Sequence, residues 1–161
     1  NEEGQPCARG EVGELFVRSG NLIEGYHGDS EATNASMREG FFSVGDLARQ
    51  DDRGYWFIEG RKRDMIISGG VNVYPVEVEA VLLECEGVAE AAVIGVPDDE
   101  WGERVCAFIV ARDRGAFDEE AVFAHCRATL TGPKRPREVH FMDELPRNPT
   151  GKVLKRELRA G

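Results

Sequence analysis

The sequence is poor in positive charge. Its 20 Lys and Arg stand against 30 Asp and Glu, a formal net charge of -10, which argues against a broad nucleic-acid surface. The basic residues gather only in short clusters, at 61–63, 134–137 and 152–159. No apolar run is long enough to span a bilayer, so no transmembrane segment is expected, and no signal peptide opens the chain. Cysteine is limited to positions 7, 85, 106 and 126. None of these makes a CxxC pair or a Cys/His cluster, so no metal ligand is assigned. A reduced, cytoplasmic chain is the default that follows. His27, His125 and His140 are far apart in sequence and have no readable partners. Internal repeats and low-complexity segments are absent. Asn34-Ala35-Ser36 is a formal glycosylation sequon, read as a chance match without secretion.

The 161 residues, 41% hydrophobic and 31% charged, suit one soluble domain or two small ones. Residues 11–18 alternate as a strand does. Ser30 to Met37 reads as a short helix with Ser30 as its N-cap. Phe41 to Gln50 and Tyr55 to Glu59 read as strands joined through the turn Asp51-Asp52-Arg53-Gly54, a hairpin. The chain starts with Asn and is already in a strand by Val12, as if cut from something longer.

The character changes after Arg63. Met65 to Ser68 reads as a strand. Pro75 opens a helix whose Val76, Val78, Val81, Leu82 and Cys85 can share a buried side, and Gly87 ends it. Val88 to Val96 and Val105 to Ala111 are rich in β-branched residues. Asp118 caps a helix running to Leu130, with Glu119 and Glu120 in its first turn. Val139 to Met142 is a strand, and Lys152 to Arg159 a terminal helix. The order β, α, β, β, α, β, α implies an α+β domain with helices on one or both faces of a small sheet.

Three segments carry polar residues in chemically suggestive patterns. In Gly40-Phe41-Phe42-Ser43-Val44-Gly45-Asp46-Leu47, an aspartate after glycine at a strand edge offers two oxygens to a pair of adjacent hydroxyls such as a ribose diol. A Gly-Asp pair is also a common surface turn. In Gly60-Arg61-Lys62-Arg63-Asp64-Met65-Ile66-Ile67-Ser68-Gly69-Gly70, a charged run gives way to an apolar strand and two glycines. Glycines let a thin ligand pass close to backbone, though they also simply make turns, and the charges also suit a solvated patch. In Pro146-Arg147-Asn148-Pro149-Thr150-Gly151-Lys152-Val153-Leu154-Lys155, two prolines and a glycine build a stiff loop ahead of a helix. The phosphate loop of nucleotidases does not fit there, because Pro146 stands where its first glycine belongs and Val153 where it needs Ser or Thr.

In this order, the three segments resemble the hinge and flanking motifs of the adenylate-forming enzymes, the family of acyl-CoA synthetases and their relatives. Segments such as Ala91-Ala92-Val93-Ile94-Gly95-Val96-Pro97-Asp98 and Trp101-Gly102-Glu103 look like the acyl-CoA synthetase branch. The resemblance implies that Asp46 and Arg61 hold the ribose of ATP or AMP. Arg63 takes the pivot position, where relatives carry Lys or Asp. Ser68, Gly69 and Gly70 line the tunnel for the pantetheine arm of CoA, and Lys152 contacts the carboxylate and α-phosphate as the acyl-adenylate forms. Val44 departs from the family's usual Thr. The family's triphosphate-gripping loop, its Thr-Glu pair for magnesium and its acyl pocket are not found.

The resemblance therefore implies a short, mainly-β end of a large AMP-binding domain over 1–62, followed by a compact α+β lid over 63–161, with magnesium held by the absent large domain. The implied parent makes an acyl-adenylate from a carboxylic acid and ATP and transfers the acyl group to CoA, while the isolated chain is inactive. An adenylation domain that loads a carrier protein, and a non-catalytic lid-like interaction module, are the alternatives.

Overall fold

The computed structural model describes residues 1–22, 25–113, 115 and 118–159. The chain divides into two compact units, Asn1–Arg63 and Asp64–Gly161.

The first unit is a four-stranded antiparallel sheet built on β3 (Phe41–Gln50). β1 (Gly13–Val17), β2 (Met37–Arg38) and β4 (Trp56–Arg61) all pair with β3. The β3–β4 hairpin forms where the sequence implies it. Asp51 closes the turn by accepting from the backbone N–H groups of Arg53 (3.0 Å) and Tyr55 (2.8 Å), the aspartate-turn chemistry expected of this residue. α1 (Ser30–Ser36) is capped one residue earlier than its sequence suggests. Asp29 Oδ1 accepts from Ala32 N at 2.9 Å, so Ser30 lies inside the helix and Met37 begins β2. The buried apolar set of this unit is small (Phe42, Leu47 and Ala48), while Trp56 and Ile58 of β4 are exposed.

The second unit is α+β, with a five-stranded sheet. Its elements are β5 (Ile66–Ser68), β6 (Val71–Val73), α2 (Pro75–Leu83), β7 (Val88–Asp98), β8 (Gly102–Ala111), α3 (Glu119–Thr129), β9 (Glu138–Met142) and α4 (Lys155–Leu158). β6 is absent from the sequence reading. Gly69 (φ +57°) and Gly70 (φ +77°) form a two-residue turn that folds Val71–Val73 back onto β5, because two consecutive left-handed residues match the twist of a tight hairpin. β7 and β8 pair antiparallel along nearly their whole length, and β9 adds parallel to β8.

α2 and α3 cover one face of this sheet. Val78, Leu82, Val122 and Cys126 pack there on Val93, Val105 and Ile109. Val76 is exposed rather than buried, since Val78, Leu82 and Cys85 recur at four- and three-residue steps and Val76 projects from the opposite side. Asp118 caps α3 as expected, accepting from Glu120 N and Ala121 N. On the other face, Leu145 and Leu158 pack on Ala92, Ile94 and Cys106. The terminal helix begins at Lys155 rather than Lys152. The carbonyl that a helix starting at Lys152 would offer to Arg156 N instead accepts from Asn148 N at 2.9 Å, while Leu154 N donates to Pro146 O at 2.8 Å and Val153 bridges to Arg147.

Candidate functional site

Asp46 and Arg61 lie directly opposite each other in the β3–β4 ladder, beside a register shift at Leu47/Ala48. Arg61 Nε is 2.9 Å from Asp46 Oδ1, and Arg61 Nη1 donates to the Val44 carbonyl at 2.9 Å. The two residues expected to share a ligand thus form one unit, and half of the carboxylate is already oriented by the guanidinium. Val44 takes part through its backbone, so this contact does not depend on its side chain. Gly45 holds φ +74°, a left-handed conformation that favours glycine.

Beneath the pair lies a contact that the sequence does not announce. Ser43, buried on β3, donates to Glu14 Oε1 and accepts from Gly45 N at 3.1 Å. The other Glu14 oxygen accepts from Lys62 Nζ at 2.7 Å. Burial pushes the Glu14 carboxyl up, but the hydrogen bonds from Lys62 and Ser43 and the Lys62 charge outweigh it and hold the group below its ordinary range. Glu14 is far from Ser43 and Lys62 in sequence, and only the strand register brings them together. Arg63 closes the first unit, fully outside its core, in a 3₁₀ turn at Lys62–Asp64. No ion pair engages Arg63 among the described residues.

In the second unit the Gly69–Gly70 turn is tied to the β7–β8 hairpin. Gly69 N donates to Trp101 O at 2.8 Å, and a Cβ built on Gly69 would meet the Trp101 ring at 2.7 Å. The Arg137 guanidinium lies 3.9 Å from the centroid of that ring. Ile67 N donates to Glu103 Oε2 at 2.8 Å. Ser68 is fully buried and its hydroxyl has no hydrogen-bond partner among the described residues. An unpaired buried hydroxyl is costly, and Ser68 therefore does not present an open polar surface here.

Lys152 projects from the loop between β9 and α4 and is exposed. Its backbone is held on both sides by one residue. Lys152 N donates to Asn148 Oδ1 at 2.8 Å, and Asn148 N donates to Lys152 O at 2.9 Å. Arg147 Nη1 donates to Gly151 O at 2.6 Å, and Arg147 also pairs with Glu90 of β7. Among the described residues the Lys152 ammonium has no ion pair. Lys155 is its opposite. Its Nζ lies 2.6 Å from Glu79 Oε1, which also accepts from Val93 N at 2.8 Å. Of the two lysines in the motif, one is committed to the fold and the other is left free.

The ligating atoms of Cys106, Glu138 and His140 lie within 4.8 Å of one another. Glu138 already serves Arg104 at 2.9 Å and His140 at 2.8 Å, and the Arg104 hydrogen bond holds its carboxyl below the usual range. Burial pushes the Cys106 thiol up to about 11. A cation there would have to displace a guanidinium and remove a reluctant proton.

Residues 77–152 match the profile of the AMP-binding enzyme C-terminal domain. The chain carries the C-terminal domain found in AMP-binding enzymes. Across 147 residues it is 45% identical to the long-chain-fatty-acid–CoA ligase FadD13 of Mycobacterium tuberculosis, covering 91% of this chain and 29% of that one. It is 44% identical to the 2-succinylbenzoate–CoA ligase of Geobacillus kaustophilus, covering 98% of this chain and 32% of the relative. Among solved structures, ATP-bound MatB from Rhodopseudomonas palustris superimposes with a TM-score of 0.93 at 42% identity, over 99% of this chain and 32% of MatB. The chain thus spans about a third of the length of the AMP-binding relatives it matches. No described helix of this chain is long and apolar enough to cross a membrane.

Proposed function

We propose that this chain supplies the C-terminal third of an ATP-dependent acyl-CoA ligase. In the first half-reaction a substrate carboxylate oxygen attacks the α-phosphorus of ATP, the bond to pyrophosphate breaks, and an acyl-adenylate forms. In the second the CoA thiolate attacks the acyl carbon, a C–S bond forms, and AMP leaves. Residues 1–62 are the end of the large AMP-binding domain, residues 63–161 the lid, and Arg63 the pivot between them. Lys152 offsets the charge that develops around phosphorus. Asp46 and Arg61 hold the ribose of the nucleotide. The Gly69–Gly70 turn, with Ser68 buried behind it, lines the path of the pantetheine arm, and lid rotation exchanges it for Lys152.

The observation that carries this reading is the contrast within one motif. Among the described residues the Lys152 ammonium has no ion pair, on a loop whose backbone is held by Asn148, whereas Lys155 is consumed by Glu79. A cation held ready without a protein partner suits a transient anionic one. That FadD13 and the 2-succinylbenzoate relative are named CoA ligases supports the thiol acceptor.

The carboxylates of this site do not fit magnesium. Asp46 gives an oxygen to Arg61, and Glu14 serves both Lys62 and Ser43, leaving no set of free oxygens of the kind Mg2+ takes. The metal that accompanies ATP belongs to the large domain in this reading. The four unpaired thiols suit a reducing, cytoplasmic setting.

In the complete enzyme, Lys152→Ala should cut ATP–pyrophosphate exchange by about 10²-fold or more and leave thioester formation from supplied acyl-adenylate within about twofold of the parent. Equal loss of both half-reactions would refute the division of labour. The isolated 161-residue chain should show no exchange activity.

A further inference from the structure

We propose that Asn148 is the positioning residue for the adenylation half-reaction. It sets where the Lys152 ammonium starts from, and it does so without touching substrate. This inference rests on the role given to Lys152 above. Asn148 Oδ1 accepts three hydrogen bonds, from Thr150 N at 3.1 Å, Thr150 Oγ1 at 2.8 Å and Lys152 N at 2.8 Å. Its backbone N–H donates to Lys152 O and its carbonyl accepts from Gly151 N, both at 2.9 Å. One residue therefore holds both the N–H and the C=O of Lys152 and closes the turn between them. Gly151, at φ +86°, takes the left-handed conformation that the closure demands.

No other side chain in the described part of this loop gathers so many backbone partners. Arg147 contributes a single bond to Gly151 O and its pair with Glu90. Packing holds the segment at Leu145, Leu158 and the partly buried Val153, but does not reach the turn before Val153. Leu145 and Leu158 are buried, whereas Thr150, Gly151 and Lys152 are exposed. Val153 anchors one side of Lys152 by packing, and the Asn148 hydrogen bonds fix the exposed turn on the other. A lysine side chain is long and loses much rotamer entropy when it is placed. A fixed Cα limits that loss to its own four torsions. If the backbone were free as well, the ammonium would sample many more positions, and misplacement by about 1 Å at a reacting centre can cost on the order of 10²-fold in rate.

Asn148→Ala removes the triple acceptor and Asn148→Asp keeps it. Both variants, and Lys152→Ala in parallel, would be assayed in the complete enzyme by ATP–pyrophosphate exchange and by thioester formation from supplied acyl-adenylate. We expect Asn148→Ala to lower the exchange kcat by roughly 10- to 100-fold, to leave the KM for ATP within about twofold, and to leave the thioester step unchanged. Asn148→Asp should restore exchange to within about threefold of the parent. Hydrogen exchange of the Lys152 amide should accelerate in Asn148→Ala and stay slow in Asn148→Asp, which tests the loop independently of turnover. A selective effect of Lys152→Ala without one of Asn148→Ala would overturn the inference alone, as would an aspartate variant as impaired as the alanine variant. Should Lys152→Ala itself spare exchange, the underlying assignment of Lys152 would be what fails.

Discussion

Lys155→Met should destabilise the second unit far more than an ordinary surface lysine change. Lys155 Nζ sits 2.6 Å from Glu79 Oε1, and each side chain is only 18% exposed. Methionine keeps most of the aliphatic stem, so the loss is chiefly electrostatic. It leaves the Glu79 carboxylate shielded from water with Val93 N as its remaining partner in this contact. Breaking a fully buried pair costs about 3–5 kcal/mol, and exposed pairs are worth about 0–1 kcal/mol. For a pair this shielded but not dry, about 2 kcal/mol is the working figure.

In a domain of this size that corresponds to a fall in Tm of roughly 8–16 °C. The two tryptophans divide between the units, Trp56 in the first and Trp101 in the second. A Trp56→Phe background therefore lets Trp101 fluorescence report on the second unit alone during urea unfolding. Glu79→Gln keeps an acceptor for Val93 N while removing the charge, so the double variant Glu79→Gln/Lys155→Met should be more stable than the sum of the single changes predicts, by about 1 kcal/mol or more. Additive effects, or a Lys155→Met cost under about 0.5 kcal/mol, would show that the pair is a surface contact with no special role.

Two further outcomes follow from local geometry. Gly69→Ala should cost more than Gly70→Ala, because both turn residues have positive φ but only at Gly69 would a Cβ strike the Trp101 ring, at 2.7 Å. About 1 kcal/mol of backbone strain is common to both, and the difference in urea midpoint, read by Trp101, reports the collision. Glu14 should impose acid sensitivity on the first unit. Its folded carboxyl is held below the ordinary value of 4.5, so the native state binds fewer protons there than the unfolded chain. The resulting stability is present above that value and is lost as pH falls through the lower folded one. Glu14→Gln should flatten this slope below pH 4.5, with Trp56 as the reporter. An unchanged slope would count against the Lys62–Glu14–Ser43 contact.

The α+β class and the position of most elements were legible because hydrophobic period, Pro75 and the aspartate turns act locally. So was the stiff loop around Pro149 and Gly151 ahead of the terminal helix. What escaped depends on distance in sequence. Glu14, Ser43 and Lys62 meet only through the register of β1, β3 and β4. Glu79 and Lys155 meet across 76 residues, and nothing local distinguishes Lys155 from Lys152. The β6 strand was missed because three residues after a glycine pair carry too short a pattern to read. The terminal helix is read too long because the Lys152 carbonyl accepts from Asn148 N and Val153 bridges to Arg147, contacts that helical spacing does not register.

The role of Lys152 is tested most directly by the structure of the complete enzyme with ATP and an unreactive analogue of its carboxylic acid. The account predicts a Lys152 Nζ at about 2.7–2.9 Å from an α-phosphate or carboxylate oxygen, on a loop still closed by Asn148. A nucleotide-bound enzyme in which that nitrogen stays solvated and a different cation meets the α-phosphate would contradict it.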